Sequence, residues 1–280
     1  MILTLGISPC PNDTIIFDAL LNGKIDTEGL HFEYILEDVE TLNRMAESAK
    51  LDVSKVSYGA VHNLLSHYRI LDAGGALGKG VGPLLISKKQ FQQISSTNND
   101  LSVVLPGKNT TAHLLFSLAF PHVTKKSFLP FNEIEASVLD GRFDAGVIIH
   151  ENRFTYAEKG LNKLADLGDI WESQTNLPIP LGGILSRRKF DLEISKKINR
   201  VIQRSLTHAF CHLNEDLPEF VTINAQEMNE DVMRKHIDLY VNEFSLGLGR
   251  HGRKAVMKLL EASAMIHNAG KISDLEIFID

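Results

Sequence analysis

Four short stretches of this 280-residue chain place proton-handling or anion-holding groups at the end of an apolar run. They are Ser8 to Asn12, Lys55-Val56-Ser57, Gly107 to Thr111 and His150 to Asn152. Each reads as the junction between a strand and a following helix. The opening N–H groups of a helix have no intrahelical partner and favour an anion. Ligands of open α/β sheets bind beyond the carboxyl ends of the strands. The four junctions therefore outline one site for a small anionic molecule, although each taken alone is also explained by plain helix capping. His150 carries the most chemistry. It follows the apolar run Ala145-Gly-Val-Ile-Ile149, so it emerges at a strand end. There an imidazole can act as a general base near neutral pH. A histidine simply bonded to a strand-end carbonyl is the competing reading.

Other patterns imitate chemistry without completing it. His208 and His212 stand four apart with Cys211 beside them, but no H-E-x-x-H glutamate and no third ligand accompany them, so they read as a helix face. Gly74 to Gly80 resembles a phosphate loop, yet its first spacing is one residue short and Gly80 stands where Ser or Thr is required. Pro9-Cys10-Pro11 sets a thiol near a helix start, where its pKa could fall, but a rigid turn around a small buried side chain fits as well.

Composition narrows the partners. Apolar residues make up 44% and charged residues 23%, which excludes a disordered chain and leaves ample core. The net charge of −6, with no basic stripe beyond Arg187-Arg188-Lys189, argues against nucleic acid. Two cysteines far apart fit a reducing compartment. No apolar run reaches membrane-spanning length, and the start of the chain lacks a secretory pattern. A cytoplasmic protein acting on a small molecule is expected, with assembly as a homodimer left open.

The elements that must position these groups follow from periodicity. Strands are expected at Ile2 to Ile7, Leu51 to Ser57, Leu84 to Ser87, Leu101 to Leu105, Phe143 to Ile149 and Ile184 to Ser186. Helices are expected at Thr14 to Leu21 (capped by Asn12 or Asp13), Thr41 to Lys50, Tyr58 to His67, Thr110 to Phe120, Asn132 to Leu139 and Glu151 to Lys159. Three more should fill the C-terminal part: Ile194 to Cys211, Asn229 to Val241 and Gly252 to Asn268. Short β-α connections argue for an α/β architecture with parallel strands. A helix, then Leu51-Asp52-Val53 or Phe143-Asp144-Ala145, then a strand and helix, forms a weak internal repeat. Gly80-Val-Gly-Pro83, with the polar stretch Gln92 to Asp100, and Pro178 to Gly183 read as two crossings between lobes. The expected division is residues 1–89 plus 182–280 in one lobe and 90–181 in the other, with a ligand cleft between them.

Ser8-Pro-Cys-Pro-Asn-Asp-Thr14 with Phe17, Lys55-Val-Ser-Tyr58, Gly146-Val-Ile-Ile-His150-Glu151 and His236-Ile-Asp-Leu-Tyr240-Val-Asn242 resemble the 1,4-dihydroxy-6-naphthoate synthases of the futalosine route to menaquinone. So do Leu248-Gly249 and Gly252. The opening motif is the most specific, and Ile15, where relatives are expected to carry an aromatic, is a conservative departure. The resemblance implies a type II periplasmic-binding-protein-like fold. It implies a lyase that splits cyclic dehypoxanthinylfutalosine with neither a metal nor an organic cofactor. It places the catalytic histidine on His150 and substrate binding on Lys55, Val56, Ser57, Thr110 and Thr111. Ser8, Cys10 and Asn12 are expected to line the cleft, and the roles of Cys10 and Glu151 stay open. Chorismate dehydratases of the same pathway and non-catalytic solute-binding modules are the alternatives. The opening motif and Ile149-His150-Glu151 weigh against the first, and the lack of a secretory pattern against the second.

Overall fold

The computed structural model describes residues 1–89, 100–226, 229–266 and 277–279. Two sheets organise it. The first is built from β1 (Ile2–Ile7), β2 (His31–Leu36), β3 (Val53–Ser57), β4 (Tyr68–Ile70) and β5 (Ala76–Gly78). The second takes β6 (Leu84–Ser87), β7 (Val103–Leu105), β8 (Lys126–Phe128), β9 (Ala145–Ile148) and β10 (Asn162–Asp166). The chain then returns to the first sheet as β11 (Ile179–Arg187). The strand orders are β2-β1-β3-β11-β4, with β5 also on β11, and β10-β6-β9-β7-β8.

The strands are only partly parallel, which corrects the sequence expectation. β1 runs parallel to β2 and β3, and β7 to β8 and β9, as β-α-β connections require. The strands that carry the chain between sheets do not. β6 is antiparallel to β9 and β10, and β11 is antiparallel to β3, β4 and β5.

Sheet pairing also moves the crossings. Leu84–Ser87 was expected in the first lobe but hydrogen-bonds wholly in the second sheet, while β11 joins the first sheet from Ile179. The crossing is therefore the glycine turn itself. Gly80 adopts φ +68°, and a Cβ on Gly82 would lie 2.3 Å from the backbone nitrogen of Gly168, so the segments entering and leaving the second sheet touch there. The stretch 92–99 lies outside the described residues.

Helices cover both sheets. Helix α1 (Pro11–Leu21) follows β1, α2 (Val39–Glu47) follows β2, and α3 (Tyr58–Leu64) follows β3. In the second sheet α4 (Thr111–Ala119) follows β7, α5 (Ile134–Leu139) precedes β9, α6 (Asn152–Thr155) follows it, and α7 (Leu167–Thr175) leads to β11. After β11 come α8 (Leu192–His212), α9 (Glu219–Thr222), α10 (Glu230–Tyr240), α11 (Glu243–Leu246) and α12 (Gly249–Ile266). As expected, the C-terminal helices pack back on the first sheet. Leu3, Leu5 and Ile7 of β1 join Ile16 and Phe17 of α1 and Ile198, Val201 and Ile202 of α8 in one buried cluster. Its area removed from water supplies the main drive to fold that lobe, at about 25 cal/mol per Å².

Candidate active site

A pocket open to solvent lies between the two sheets. Lys55, Ser57, Leu181 and Gly182 line it from the first sheet, and Thr110, Thr111, Ile149, His150 and Arg153 from the second. It sits at the carboxyl ends of β1, β3, β7 and β9, the edge the four junctions pointed to.

The α1 end is built around Asp13. The helix begins at Pro11 with Cys10 as its N-cap, so Asn12 and Asp13 fall inside the first turn and neither caps it, contrary to expectation. Proline suits that first position because it has no N–H to leave unpaired. Asp13 is thereby turned toward its neighbours. It accepts from Ser8 Oγ at 2.7 Å, Asn12 Nδ2 at 2.8 Å and Lys55 Nζ at 2.6 Å. Both ions of the Lys55–Asp13 pair are almost fully buried, and Nζ also lies 3.4 Å from the Gly74 carbonyl. The Asn12 amide, held by Asp13, points its oxygen at His236 Nε2, 2.8 Å away. His236 therefore carries its proton on Nε2 and a lone pair on Nδ1.

The segment after β3 is fastened just as fully. Ser57 N–H donates to Asn43 Oδ1 at 2.8 Å, and Asn43 Nδ2 donates to Ser57 Oγ at 3.1 Å. Val56 does not reach the cavity. Strand alternation sends Lys55 and Ser57 to one face and Val56 to the other, where it is wholly buried in the core, so its side chain is no ligand-binding group.

Thr110 and Thr111 reach the cavity with their hydroxyls already engaged. Thr110 caps α4, accepting from His113 N–H and donating to the Gly107 carbonyl. Thr111 Oγ1 accepts from Gly59 N–H at 2.9 Å and donates to the Leu181 carbonyl at 2.6 Å. It thus ties the second sheet's helix to two segments of the first. A Cβ at Gly59 would come 2.8 Å from the Thr110 carbonyl oxygen, so only glycine allows that approach. Glu40 Oε2 accepts from Asn109 N–H at 3.0 Å and adds another tie.

His150 leaves β9 at φ +59°, a left-handed conformation unusual for a residue with a Cβ. That turn swings the half-buried ring between Phe131, 4.8 Å away centroid to centroid, and His236, 6.1 Å away and nearly parallel. Nδ1 lies 3.4 Å from Cys10 Sγ, which touches His150 without being among the cavity-lining residues. Burial, helped by Lys55, lowers the pKa of His150 against the opposing pull of Glu151 and Asp13, so its ring is neutral at pH 7. Burial first, and then His150 and Lys55, hold His236 well below the usual histidine value. Burial, reinforced by Glu151, pushes the Cys10 thiol well up, and it stays protonated.

Sequence reading assigned no catalytic or ligand-binding role to His236, Tyr240, Arg153 or Asp13, all of which line the cavity. His236 and Tyr240, four apart, sit on the buried face of α10, and a histidine on such a face was the available signal. Arg153 holds the Gly82 carbonyl at 3.0 Å and sits 3.7 Å from Asp166. Nothing in its local sequence distinguishes it from a surface arginine.

Comparison with known proteins agrees with this architecture. A family model described as menaquinone biosynthesis matches residues 3–265. The 1,4-dihydroxy-6-naphthoate synthase of Thermus thermophilus is 42% identical over 267 residues, covering 94% of each chain. That of Streptomyces coelicolor is 40% identical, covering 94% of this chain and 93% of its own. A solved protein of Archaeoglobus fulgidus superposes with a TM-score of 0.87 at 32% identity, covering 95% of this chain and 98% of its own. The periplasmic aliphatic sulphonate binding protein of Escherichia coli shares the fold alone, with a TM-score of 0.65 at 10% identity over 99% of this chain and 90% of its own. With a cleft between two lobes, a matching family model and two such relatives along nearly its whole length, this chain belongs to the menaquinone biosynthesis family that contains the 1,4-dihydroxy-6-naphthoate synthases.

Proposed function

We propose that the chain is a cytoplasmic lyase that converts cyclic dehypoxanthinylfutalosine to 1,4-dihydroxy-6-naphthoate, with His150 as the general base. The observation that carries the reading is a neutral, half-buried imidazole at the carboxyl end of β9, facing the cavity and braced by Cys10. In the tautomer that carries its proton on Nδ1, toward Cys10 Sγ, Nε2 keeps the lone pair a base needs. The base removes a proton, electrons flow toward the developing naphthalene ring, and aromatisation drives carbon–carbon cleavage. A positioned base contributes about 10²–10⁴ in rate.

The substrate carboxylate is anchored in the same cavity at the start of α4. The first-turn N–H groups of α4 supply donors without intrahelical partners, and the Arg153 guanidinium adds a cation. Because the Thr110 and Thr111 hydroxyls are already engaged, those residues hold the substrate through their backbone. Lys55 acts mainly by fixing Asp13 and the floor of the cleft. The lobe of the first sheet and the lobe of the second sheet, which divide near residues 83 and 179, close over the substrate and exclude water from the reactive intermediate.

The reading is tested by incubating purified protein with cyclic dehypoxanthinylfutalosine and following the naphthoate by mass spectrometry. Release of 1,4-dihydroxy-6-naphthoate at a turnover rate supports it. Binding without conversion would leave a solute-binding module.

A further inference from the structure

One corner of the site holds more lone pairs than donors. One ligand atom from each of Cys10, His150 and Glu151 lies within 4.8 Å of the other two. Among the described residues, Glu151 Oε2, on a residue only 7% exposed, has no hydrogen-bond partner. The same is true of His236 Nδ1, which faces it from 3.8 Å. An unpaired buried carboxylate oxygen costs free energy unless a donor or cation meets it. We propose that Cys10, His150 and Glu151 form a binding site for a soft divalent cation of the Zn²⁺ class, and that its occupancy silences His150 as a base. The second part rests on the function proposed above, and the first does not.

Geometry and chemistry both select such an ion. In a triangle of that size some point lies within roughly 2.8 Å of all three atoms, so sub-ångström side-chain shifts reach Zn–S and Zn–N bonds of about 2.3 and 2.0 Å. A thiolate, an imidazole and a carboxylate favour Zn²⁺ or Co²⁺ over Mg²⁺ or Ca²⁺, which prefer all-oxygen sites. Binding releases the Cys10 thiol proton to solvent, and two anionic ligands then neutralise the dication in a buried place. The nearby Lys55 is already committed to Asp13 at 2.6 Å. The consequence for catalysis is direct. An imidazole coordinated through Nδ1 keeps its remaining proton on Nε2 and has no lone pair left. The ion is thus an inhibitor that competes with the base, distinct from a cofactor.

Co²⁺ titration of the metal-free protein tests the site. The expected result is one bound ion with a thiolate-to-cobalt charge-transfer absorption, displaced by Zn²⁺ and unaffected by Mg²⁺. Cys10→Ser should lose that absorption, whereas Cys211→Ala, which removes the exposed second thiol, should keep it. Glu151→Gln should keep it with affinity reduced at least tenfold, and circular dichroism on each variant verifies folding. No absorption in the unaltered protein, or one that survives Cys10→Ser, overturns the site. Unchanged affinity in Glu151→Gln removes the carboxylate from it. In the turnover assay Zn²⁺ should inhibit and a chelator restore the rate. Cobalt absorption with undiminished turnover on saturation overturns the silencing and leaves the site standing. Cobalt absorption in a protein that never turns over the substrate defeats the proposed lyase function alone.

Discussion

The two walls of the cleft are built on opposite terms. On the wall formed by Asp13, Lys55, Ser57 and Thr111, each of these side chains is hydrogen-bonded, and two bonds of Thr111 tie one lobe to the other. On the wall around His150 and His236, backed by Cys10 and Glu151, two acceptors face each other without a partner among the described residues, and the backbone of His150 is held in a left-handed turn. The first wall is a scaffold whose hydrogen bonds are formed before any ligand arrives. The second leaves lone pairs of Glu151 and His236 without a donor among the described residues, at a cost in stability. Polar residues in one cavity can thus serve either rigidity or reactivity, and their hydrogen-bond partners tell the two apart.

Breaking the scaffold should show first as lost stability. Asp13→Ala strands a buried Lys55 ammonium and should cost about 3–5 kcal/mol in urea unfolding. A loss under 1 kcal/mol would mean that the pair is not the keystone assigned here. On the reactive wall the effect should fall on rate. His150→Asn keeps size and polarity without the basic nitrogen, and turnover should drop about 10²-fold or more while substrate binding survives. Turnover near the unaltered rate would exclude His150 as the base.

Thr111→Ala sharpens the contrast from the scaffold side. It leaves Gly59 N–H and the Leu181 carbonyl without their partner, so a stability loss of about 1–2 kcal/mol is expected. A variant with normal stability and weakened substrate binding would instead return the hydroxyl to the role of ligand.

The pH response also separates the walls. The pKa values of His150 and His236 are lowered, so between the ordinary histidine value of 6.5 and their own lower values the unfolded chain binds protons that these rings refuse. The histidine contribution is fully present above pH 6.5 and is lost as pH falls through that window. Turnover should likewise hold at pH 7 and fall only on the acid side of the usual histidine range. An acid limb centred above 6.5 would contradict the lowered value. The smallest effect belongs to the rejected metal pair. His212 Nδ1 rests against the His208 carbonyl at 2.7 Å on the outside of α8, so His212→Gln should change stability by no more than about 0.5 kcal/mol and leave turnover alone.

Much of the scaffold was legible in the chain because local rules decide it. β1 runs over the residues its apolar pattern marks, and α8, α10 and α12 fall within a few residues of their apolar periodicity. Strand β2 was missed because it is an edge strand, with His31, Glu33 and Tyr34 exposed, and lacks a clean buried alternation. The N-cap of α1 was misplaced because Asn12 and Asp13 have the right types, yet Pro11 sets the helix start ahead of them.

By itself the sequence determined the α/β class, the strands and helices that flank the four strand-end junctions, the position of His150 and the family to which the opening motif belongs. These depend on periodicity, turn chemistry and residue identity, all written locally along the chain. Tertiary structure alone decided that the crossing strands run antiparallel and that Thr111 binds backbone across the lobes. It alone brought His236, 86 positions beyond His150, beside it, and set Asn12 to fix the proton of His236. Such pairings join residues with no local signal linking them: the packing of α10 against α1 brings Asn12 to His236, and the meeting of the two sheets' lobes brings Thr111 and His150 to their partners.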